Sequence, residues 1–433
     1  MRTFSILTLG CKVNSYESEA LINKLLERGY ELKGFNDNCD VYIVNSCTVT
    51  KTSDQKSRQM LHAAKRKNPN AVIVVMGCFS QLNIEEAAKI ADIVVGTNNK
   101  LDVVELIDSY LTSKEQILHV TDVLNNPKYE EMKVNVLKTH TRAFIKVQDG
   151  CENYCSYCAI PYSRGKIRSR DPENVIKEIA NLVKNGTKEV ILAGINTGTY
   201  GKDLGFITLA RLIERIMEET SLYRLRLSSI ELMEITDELL EILKKYENRI
   251  ANHLHIPCQG GSETVLRRMN RKYTIEMYEN RIKEIRNLFP NISVTTDILA
   301  GFVGETETEF NETLSFIRRI SFSEMHVFPY SRRKNTVADS LDGHLDKKVI
   351  TERAKTIGNL ARELKAKYID TFIGKSVYVI AEAKKDGKWH GHSSNYLDIY
   401  FNSDEELENQ IVKVKILNYH NDIILGEMEE KYE

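Results

Sequence analysis

The sequence lacks any apolar run of the roughly 18 residues that a helix needs to cross a bilayer, so no transmembrane segment is expected. No secretory leader is expected either. MRTFSILTLGC has neither a long apolar core nor a cleavage signal and reads as a strand, and the expected location is the cytoplasm. Excess charge of either sign is missing too, with 60 Lys and Arg set against 61 Asp and Glu. That balance excludes a grip on nucleic acid by overall field and leaves only local basic patches. Internal repeats and low-complexity segments are absent. Cysteine is better represented: eight, spread over a long chain in a reducing compartment, are poor disulfide material and read better as metal ligands or buried thiols.

At 433 residues the chain is too long for one average domain and long enough for two or three. Its class is α/β. Over residues 1–112 short apolar runs (FSILTLG, DVYIVNSC, AVIVVMGC) alternate with amphipathic stretches such as ESEALINKLLERGY, the pattern of an open parallel α/β sheet. Residues 113–136 are polar, show no sustained period, contain Asn125-Asn126-Pro127 and read as a linker. Over 137–368 six strand and helix pairs follow, with strands AFIKVQ, KEVILAG, YRLRLSSI, HLHIPC, ISVTTDILAG and SEMHVFPYS. Eight such units close a barrel and six leave it open, so a partial (β/α)6 TIM-like barrel is expected, with its site built from the loops after the strands. A last helix over roughly Lys347–Phe372 leads into 370–433, where SVYVIAEA, YLDIYF and IVKVKILNY alternate as in a small all-β barrel.

Cys151, Cys155 and Cys158 stand at CxxxCxxC spacing just after the first barrel strand. A loop this short brings three thiolates to one cluster, and because full ligation of a 4Fe-4S cluster takes four, one iron is left open to an outside ligand. A zinc knuckle is the alternative, but zinc closes with four ligands and no obvious fourth stands at typical spacing. Three more cysteines, Cys11, Cys47 and Cys78, end the first three strands of the N-terminal module. In an open parallel sheet the carboxyl ends of the strands share one edge, so the three converge in space. Their intervals each fit one βαβ unit. Burial as simple core thiols is the competing reading for this second trio.

The first motif, with Tyr157 before its last cysteine, resembles that of the radical S-adenosylmethionine (SAM) superfamily. The two triads together resemble the radical SAM methylthiotransferase family, whose members insert sulfur at a C–H bond and methylate it. The resemblance covers nearly the whole chain and implies a TRAM domain at 370–433. LeuGlyCys11LysValAsn14 looks most like the branch that modifies N6-threonylcarbamoyladenosine beside the tRNA anticodon, whereas isopentenyladenosine enzymes usually read GlyCysGlnMetAsn. It implies two 4Fe-4S clusters, the auxiliary one on Cys11, Cys47 and Cys78 carrying the sulfur, with both facing one substrate carbon. It also puts Tyr157 near the SAM adenine.

Further SAM contacts are expected at strand ends: Gly194 and Thr197 after the second, Ser228, Ser229 and Glu231 after the third, and Asp297, Gly301, Gly304 and Glu305 after the fifth. No catalytic residue beyond the cluster ligands is assigned. Asn196, Cys258-Gln259-Gly260, Ala300 and Val303 depart from the commonest family pattern. Cys258 reads as a small filler at the barrel mouth and Cys39 as an unligated thiol.

Expected RNA contacts are Arg267, Arg268, Arg271 and Lys272, then Arg164, Lys166, Arg168 and Arg170 beside the cluster loop, then Arg332, Arg333 and Lys334. Solvated helix faces are the alternative for many of them. From Asp370 to Glu433 there are seven lysines, no arginine and thirteen acidic residues, so the tail cannot grip RNA by charge. A local face around Lys384, Lys385, Lys388, Trp389 and His390 remains available for stacking or hydrogen bonding. The implied partners are the tRNA anticodon loop, an electron donor such as flavodoxin or ferredoxin, and a sulfur donor that the sequence does not name. The reading competes with the same chemistry on isopentenyladenosine tRNA or a ribosomal protein, and with a non-catalytic iron-sulfur RNA-binding protein.

Overall fold

The computed structural model describes residues 2–125, 128–137 and 141–432. Its N-terminal sheet is wholly parallel, in the order Glu31–Leu32, Thr3–Thr8, Val41–Ser46, Val72–Gly77, Ile93–Val95, Ile117–His119. The central strands VYIVNS and VIVVMG are buried at every position, as β-branched runs covered on both faces must be. Ile117–His119 lies inside the segment expected to be linker. Three residues are too few to display a period of two, so the sequence hid the sixth strand.

The rest of that segment is a strap rather than a free tether. Met132 and Val134 are buried. Tyr16 Oη donates to Met132 O at 2.7 Å, and Val134 N donates to Glu178 Oε1 at 2.7 Å, so the strap is clamped between the first helix (Lys12–Glu27) and the barrel helix Pro172–Lys184. Asn126 and Pro127 of the expected turn lie outside the described residues.

All six expected barrel strands form: Ala143–Lys146, Glu189–Ala193, Arg224–Leu227, His253–His255, Ser293–Ala300 and Glu324–Pro329. They pair in parallel as two sheets of three. The bridges Leu225↔Ile250 and Ser229↔His255 stitch the two sheets into one open arc. Six helices of this region start at a side chain that accepts an orphan N–H: Asp171, Thr208, Thr236, Thr274, Thr306 and Asp346. Such caps fix where those helices begin.

The last helix, Lys347–Asp370, hands over to a closed five-stranded barrel, as expected of a TRAM domain. Two of its strands, Lys388–Ser393 and Ile423–Lys431, are too polar to have been anticipated. This barrel docks through a buried pair of arginines. Arg224 and Arg226 are held by Glu189 at 3.1 and 2.7 Å and donate across to the carbonyls of His392, Ser393 and Ser394.

Candidate active site

The loop carrying Cys151, Cys155 and Cys158 leaves the first barrel strand through Gly150, whose φ is +77° and where a Cβ would sit 1.9 Å from the Lys166 carbonyl. Only glycine fits there. Gln148 fastens the loop, donating from Nε2 to Gly150 O at 2.7 Å while its Oε1 accepts from Asn196 N at 2.9 Å. Burial and their own mutual proximity push the Cys158 thiol up to about 12, and burial pushes Cys151 to about 11. These thiols therefore need a compensating positive centre before they ionise. The nearest cation is Arg271, which donates to Cys155 Sγ at 3.4 Å and to Glu231 Oε1 at 3.1 Å.

The second trio converges as the sheet topology requires. Cys11 precedes the helix Lys12–Glu27, Cys47 follows the strand Val41–Ser46, and Cys78 opens the helix Cys78–Leu82. At Gly10, φ +105°, an added Cβ would lie 2.9 Å from Cys47 Sγ, so the turn before Cys11 has to be bare for Cys47 to approach. Burial raises Cys47 to about 12 and raises Cys11, with Cys78 adding to both. Here too one buried arginine points at sulfur: Arg164 Nε donates to Cys78 Sγ at 3.4 Å.

Arg164 has no exposed surface and is not available to RNA. It donates to Glu17 at 2.7 Å, to Asp149 at 3.2 Å and to Asn14 Oδ1 at 2.6 Å. Lys100, Lys146 and Arg168 complete the network around the same two carboxylates. Burial works to raise Glu17, but Arg164, Lys100 and Lys146 prevail and hold it far below the usual range. Four cationic side chains face two carboxylates, so a positive field lies beside Cys78, where thiolates require it.

Several expected RNA contacts are corrected in the same way. Arg168 is buried with Asp149, and Arg170 is buried between Glu178 and Glu131. Arg271 is buried against Glu231 in the site itself. Arg333 ties the barrel to the N-terminal module through Asp54 at 2.5 Å and Thr48 at 2.6 Å. Arg268 is paired with Glu309 at 2.7 Å. Each stands beside a carboxylate supplied by a distant segment, which a one-dimensional reading cannot see. Arg267, Lys272, Arg332, Lys166 and Lys334 stay exposed. In the tail, Trp389 is buried and donates to Glu405 O, so it offers no face for stacking.

A cavity of about 380 Å³ opens between the triads, bordered by Cys11 on one side and by Cys151, Cys155 and Cys158 on the other. Of the expected SAM contacts, Tyr157, Gly194, Ser229, Glu231 and Asp297 line it. Thr197 and Ser228 stand behind its wall, their hydroxyls 2.7 Å apart. Gly301, Gly304 and Glu305 do not reach it. Glu305 accepts from Arg353 at 2.8 Å and from Gly301 N at 3.2 Å, Gly301 abuts Ile350, and Gly304 N donates to Gly343 O. That motif braces the loop against the last helix. Asn196 is buried on the cavity wall with neither side-chain polar atom bonded, and the buried Tyr330 hydroxyl beside the cavity is also unpaired. Orphaned buried polar groups call for a ligand. With three thiols in each trio and these orphans between them, the donor set fits two three-cysteine clusters and a polar cosubstrate.

Sequence reading missed Asn14, Glu17, Lys100, Lys146, Asp149 and Gln148. The signal for three of them was in AFIKVQDG, where Lys146, Gln148 and Asp149 interrupt an otherwise apolar barrel strand. His255, Asp297 and His326, whose ligating atoms lie within 4.8 Å of one another beside the cavity, were missed as a group.

Comparison with known proteins agrees with this geometry. Residues 145–317 match the Radical SAM superfamily, and 3–96 match a model described as Uncharacterized protein family UPF0004. The chain is 42% identical to the threonylcarbamoyladenosine tRNA methylthiotransferase MtaB of Bacillus subtilis, over 96% of this chain and 94% of that protein. The Thermotoga maritima protein of the same name is 38% identical over 96% and 95%. A tRNA-2-methylthio-N(6)-dimethylallyladenosine synthase of Lachnoclostridium phytofermentans is 34% identical over 99% and 96%. Among solved structures the radical SAM methyltransferase TsrM of Kitasatospora setae shares the fold, with a TM-score of 0.53, 13% identity, and coverage of 77% of this chain and 74% of that one.

Proposed function

The chain belongs to the radical SAM tRNA methylthiotransferase family, and from that premise we propose that it converts N6-threonylcarbamoyladenosine beside the tRNA anticodon to its 2-methylthio derivative. The family's cofactors are SAM and two 4Fe-4S clusters. We assign Cys151, Cys155 and Cys158 to one cluster and Cys11, Cys47 and Cys78 to the other. When bound, the first supplies the electron that turns one SAM into a hydrogen-abstracting radical, while the second supplies the sulfur that another SAM methylates.

The observation that carries this reading is the one cavity bordered by Cys11 of the second trio and by all three cysteines of the first. Sulfur insertion needs the hydrogen-abstracting group and the sulfur carrier to face one carbon, and a cavity walled by one trio alone would not permit it. This chain's own groups hold and shield. Arg271 and Arg164 each aim an N–H at one cysteine sulfur. Leu299, Ile160 and Pro161 give the cavity apolar walls, which limit access of water to a reactive species.

The tRNA would approach at the rim, where Tyr154, Tyr162 and Phe328 are exposed. Exposed rings suit unstacked bases of an anticodon loop. Arg267, Lys272 and Lys166 would supply phosphate contacts, whereas Arg332 is tied to Asp339 at 2.5 Å. The described residues contain no helix long and apolar enough to span a membrane. We place the reaction in the cytoplasm, with a flavodoxin- or ferredoxin-type electron donor.

Nucleoside mass spectrometry of tRNA from a deletion strain tests the substrate. Loss of 2-methylthio-N6-threonylcarbamoyladenosine is expected. Loss of the methylthiolated isopentenyladenosine instead would move the protein to the other named group of relatives. Absence of deoxyadenosine production from SAM by the reduced, reconstituted protein would make it a non-catalytic iron-sulfur protein.

A further inference from the structure

A second cavity of about 420 Å³ adjoins the first and shares Cys11, Gly194, Ser229 and Asp297 with it. It extends toward the C-terminal barrel, ending at His253 and Tyr396, whose rings stack at 4.7 Å. This space can receive a substituent carried by a base seated between the cysteine trios.

The cationic side chains around the space are matched, with one exception. Asp297 faces His255 at 3.4 Å, and Glu324 is taken by Lys365 at 2.6 Å. Arg142 is paired with Glu382 at 3.1 Å, and Arg226 with Glu189 at 2.7 Å. His253 is buried, and desolvation with the nearby Arg226 keeps it neutral. Lys12 lines the same cavity, half-buried, and among the described residues no carboxylate or carbonyl engages its ammonium.

Its position makes the absence more telling. Lys12 is the first residue of a 16-residue helix with no acidic residue in its first turn. A cation at a helix N-terminus opposes the dipole, at a cost of about 0.3–1 kcal/mol, and the free N–H groups there also seek an anion. The helix end already has Cys11, a cysteine of the second trio, as its N-cap, whereas among the described residues no anion meets the Lys12 ammonium.

We propose that Lys12 forms a carboxylate subsite that reads the amino-acid arm of the threonylcarbamoyl group. This rests on the substrate reading above and deepens it. The isopentenyl group carries no carboxylate and gains nothing from such a site. Lys12 is a specificity-determining residue that leaves the reacting carbon untouched.

The test compares two substrates on each enzyme preparation: tRNA carrying threonylcarbamoyladenosine, and the same tRNA with its threonyl carboxylate converted to a methyl amide. The wild-type holoenzyme should prefer the native tRNA in kcat/KM by about tenfold to a hundredfold, the usual worth of a charge-assisted contact. Lys12→Gln should fall by that factor on native tRNA and show no preference between the two, whereas Lys12→Arg keeps it. Because both substrates meet one preparation, any loss of iron cancels from the ratio. An undiminished preference in Lys12→Gln, or equal rates on both substrates in the wild type, overturns the subsite. Failure of the wild type on threonylcarbamoyladenosine tRNA together with activity on isopentenyladenosine tRNA would instead overturn the substrate reading.

Discussion

Replacing Arg164 by leucine removes the side chain that joins three elements at once. Its guanidinium donates to Glu17 in the N-terminal helix, to Asp149 in the barrel and to Cys78 of the second trio, all buried. Breaking a buried ion pair from one side costs roughly 3–5 kcal/mol, since a desolvated charge is left behind. Here the lower end applies. Glu17 keeps Lys100 and Lys146, and Asp149 keeps Lys146 and Arg168. About 3 kcal/mol then corresponds to a fall in Tm of about 4 °C for the roughly 370 residues of the two joined modules. Differential scanning of wild type, Arg164→Leu and Arg211→Leu measures it. Arg211 pairs with Glu214 at the surface, its side chain 57% exposed, and such pairs contribute less than about 1 kcal/mol. Arg164→Leu should also shed iron from the trio that contains Cys78 and retain that held by Cys151, Cys155 and Cys158. An Arg164→Leu protein that melts within about 2 °C of wild type and keeps its full iron would show that the network does not join the modules.

Three further outcomes are expected. Reconstituted wild type should carry about eight irons per chain, falling by about half in Cys47→Ala and in Cys155→Ala, because each 4Fe-4S unit depends on its own thiolates; iron and sulfide analysis decides. Glu189 is fully buried, yet Arg226 and Arg224 outweigh its desolvation and hold its carboxyl at about 2. A depressed carboxylate contributes stability above the unfolded value near 4.5, and that contribution is lost as pH falls from there toward 2. The fluorescence of Trp389, the one tryptophan and buried in the C-terminal barrel, should report this acid transition, and Glu189→Gln should flatten its pH dependence in that window. Finally, Arg267→Ala with Lys272→Ala should reduce the slope of log K against log salt for tRNA binding by about 0.7 for each phosphate no longer neutralised, and an unchanged slope would remove that rim from the RNA path.

The parts of the molecule written in local pattern were legible in the sequence. The six barrel strands, the parallel N-terminal sheet and the convergence of Cys11, Cys47 and Cys78 follow from periodicity and from where parallel strands end. What depended on pairing across long distances was not. Arg164 looks like an RNA-facing cation beside a cluster loop until Glu17, 147 positions away, is brought against it. Arg333 is similar, since Asp54 lies 279 positions earlier. Short or polar strands such as Ile117–His119 and Lys388–Ser393 give no periodic signal and are held by their neighbours. Glu305 followed a glycine-rich strand end that resembles a cofactor loop, but its partner Arg353 sits on a helix that lies beyond that motif.

These long-range pairs also determine how substrate must enter. The N-terminal module is fixed to the barrel by the Glu17 network, by the strap held between Tyr16 and Glu178, by Thr97 Oγ1 on Ser163 O at 2.6 Å and by Arg333 on Asp54. Parting the modules would strip partners from several buried charges together, each costing several kcal/mol, so closure of one module over bound tRNA is a poor mechanism for this chain. The base has to leave its stack and enter a cavity that already exists, which costs a few kcal/mol of unstacking. Exposed rings at Tyr154 and Phe328 can repay part of that, about 1–3 kcal/mol per stacked base. Most of the arginines around the loop are spent on internal carboxylates, so few cations remain for phosphates. Selection of tRNA should accordingly rest on the flipped base and its substituent more than on backbone charge, and binding should weaken only moderately as salt is raised.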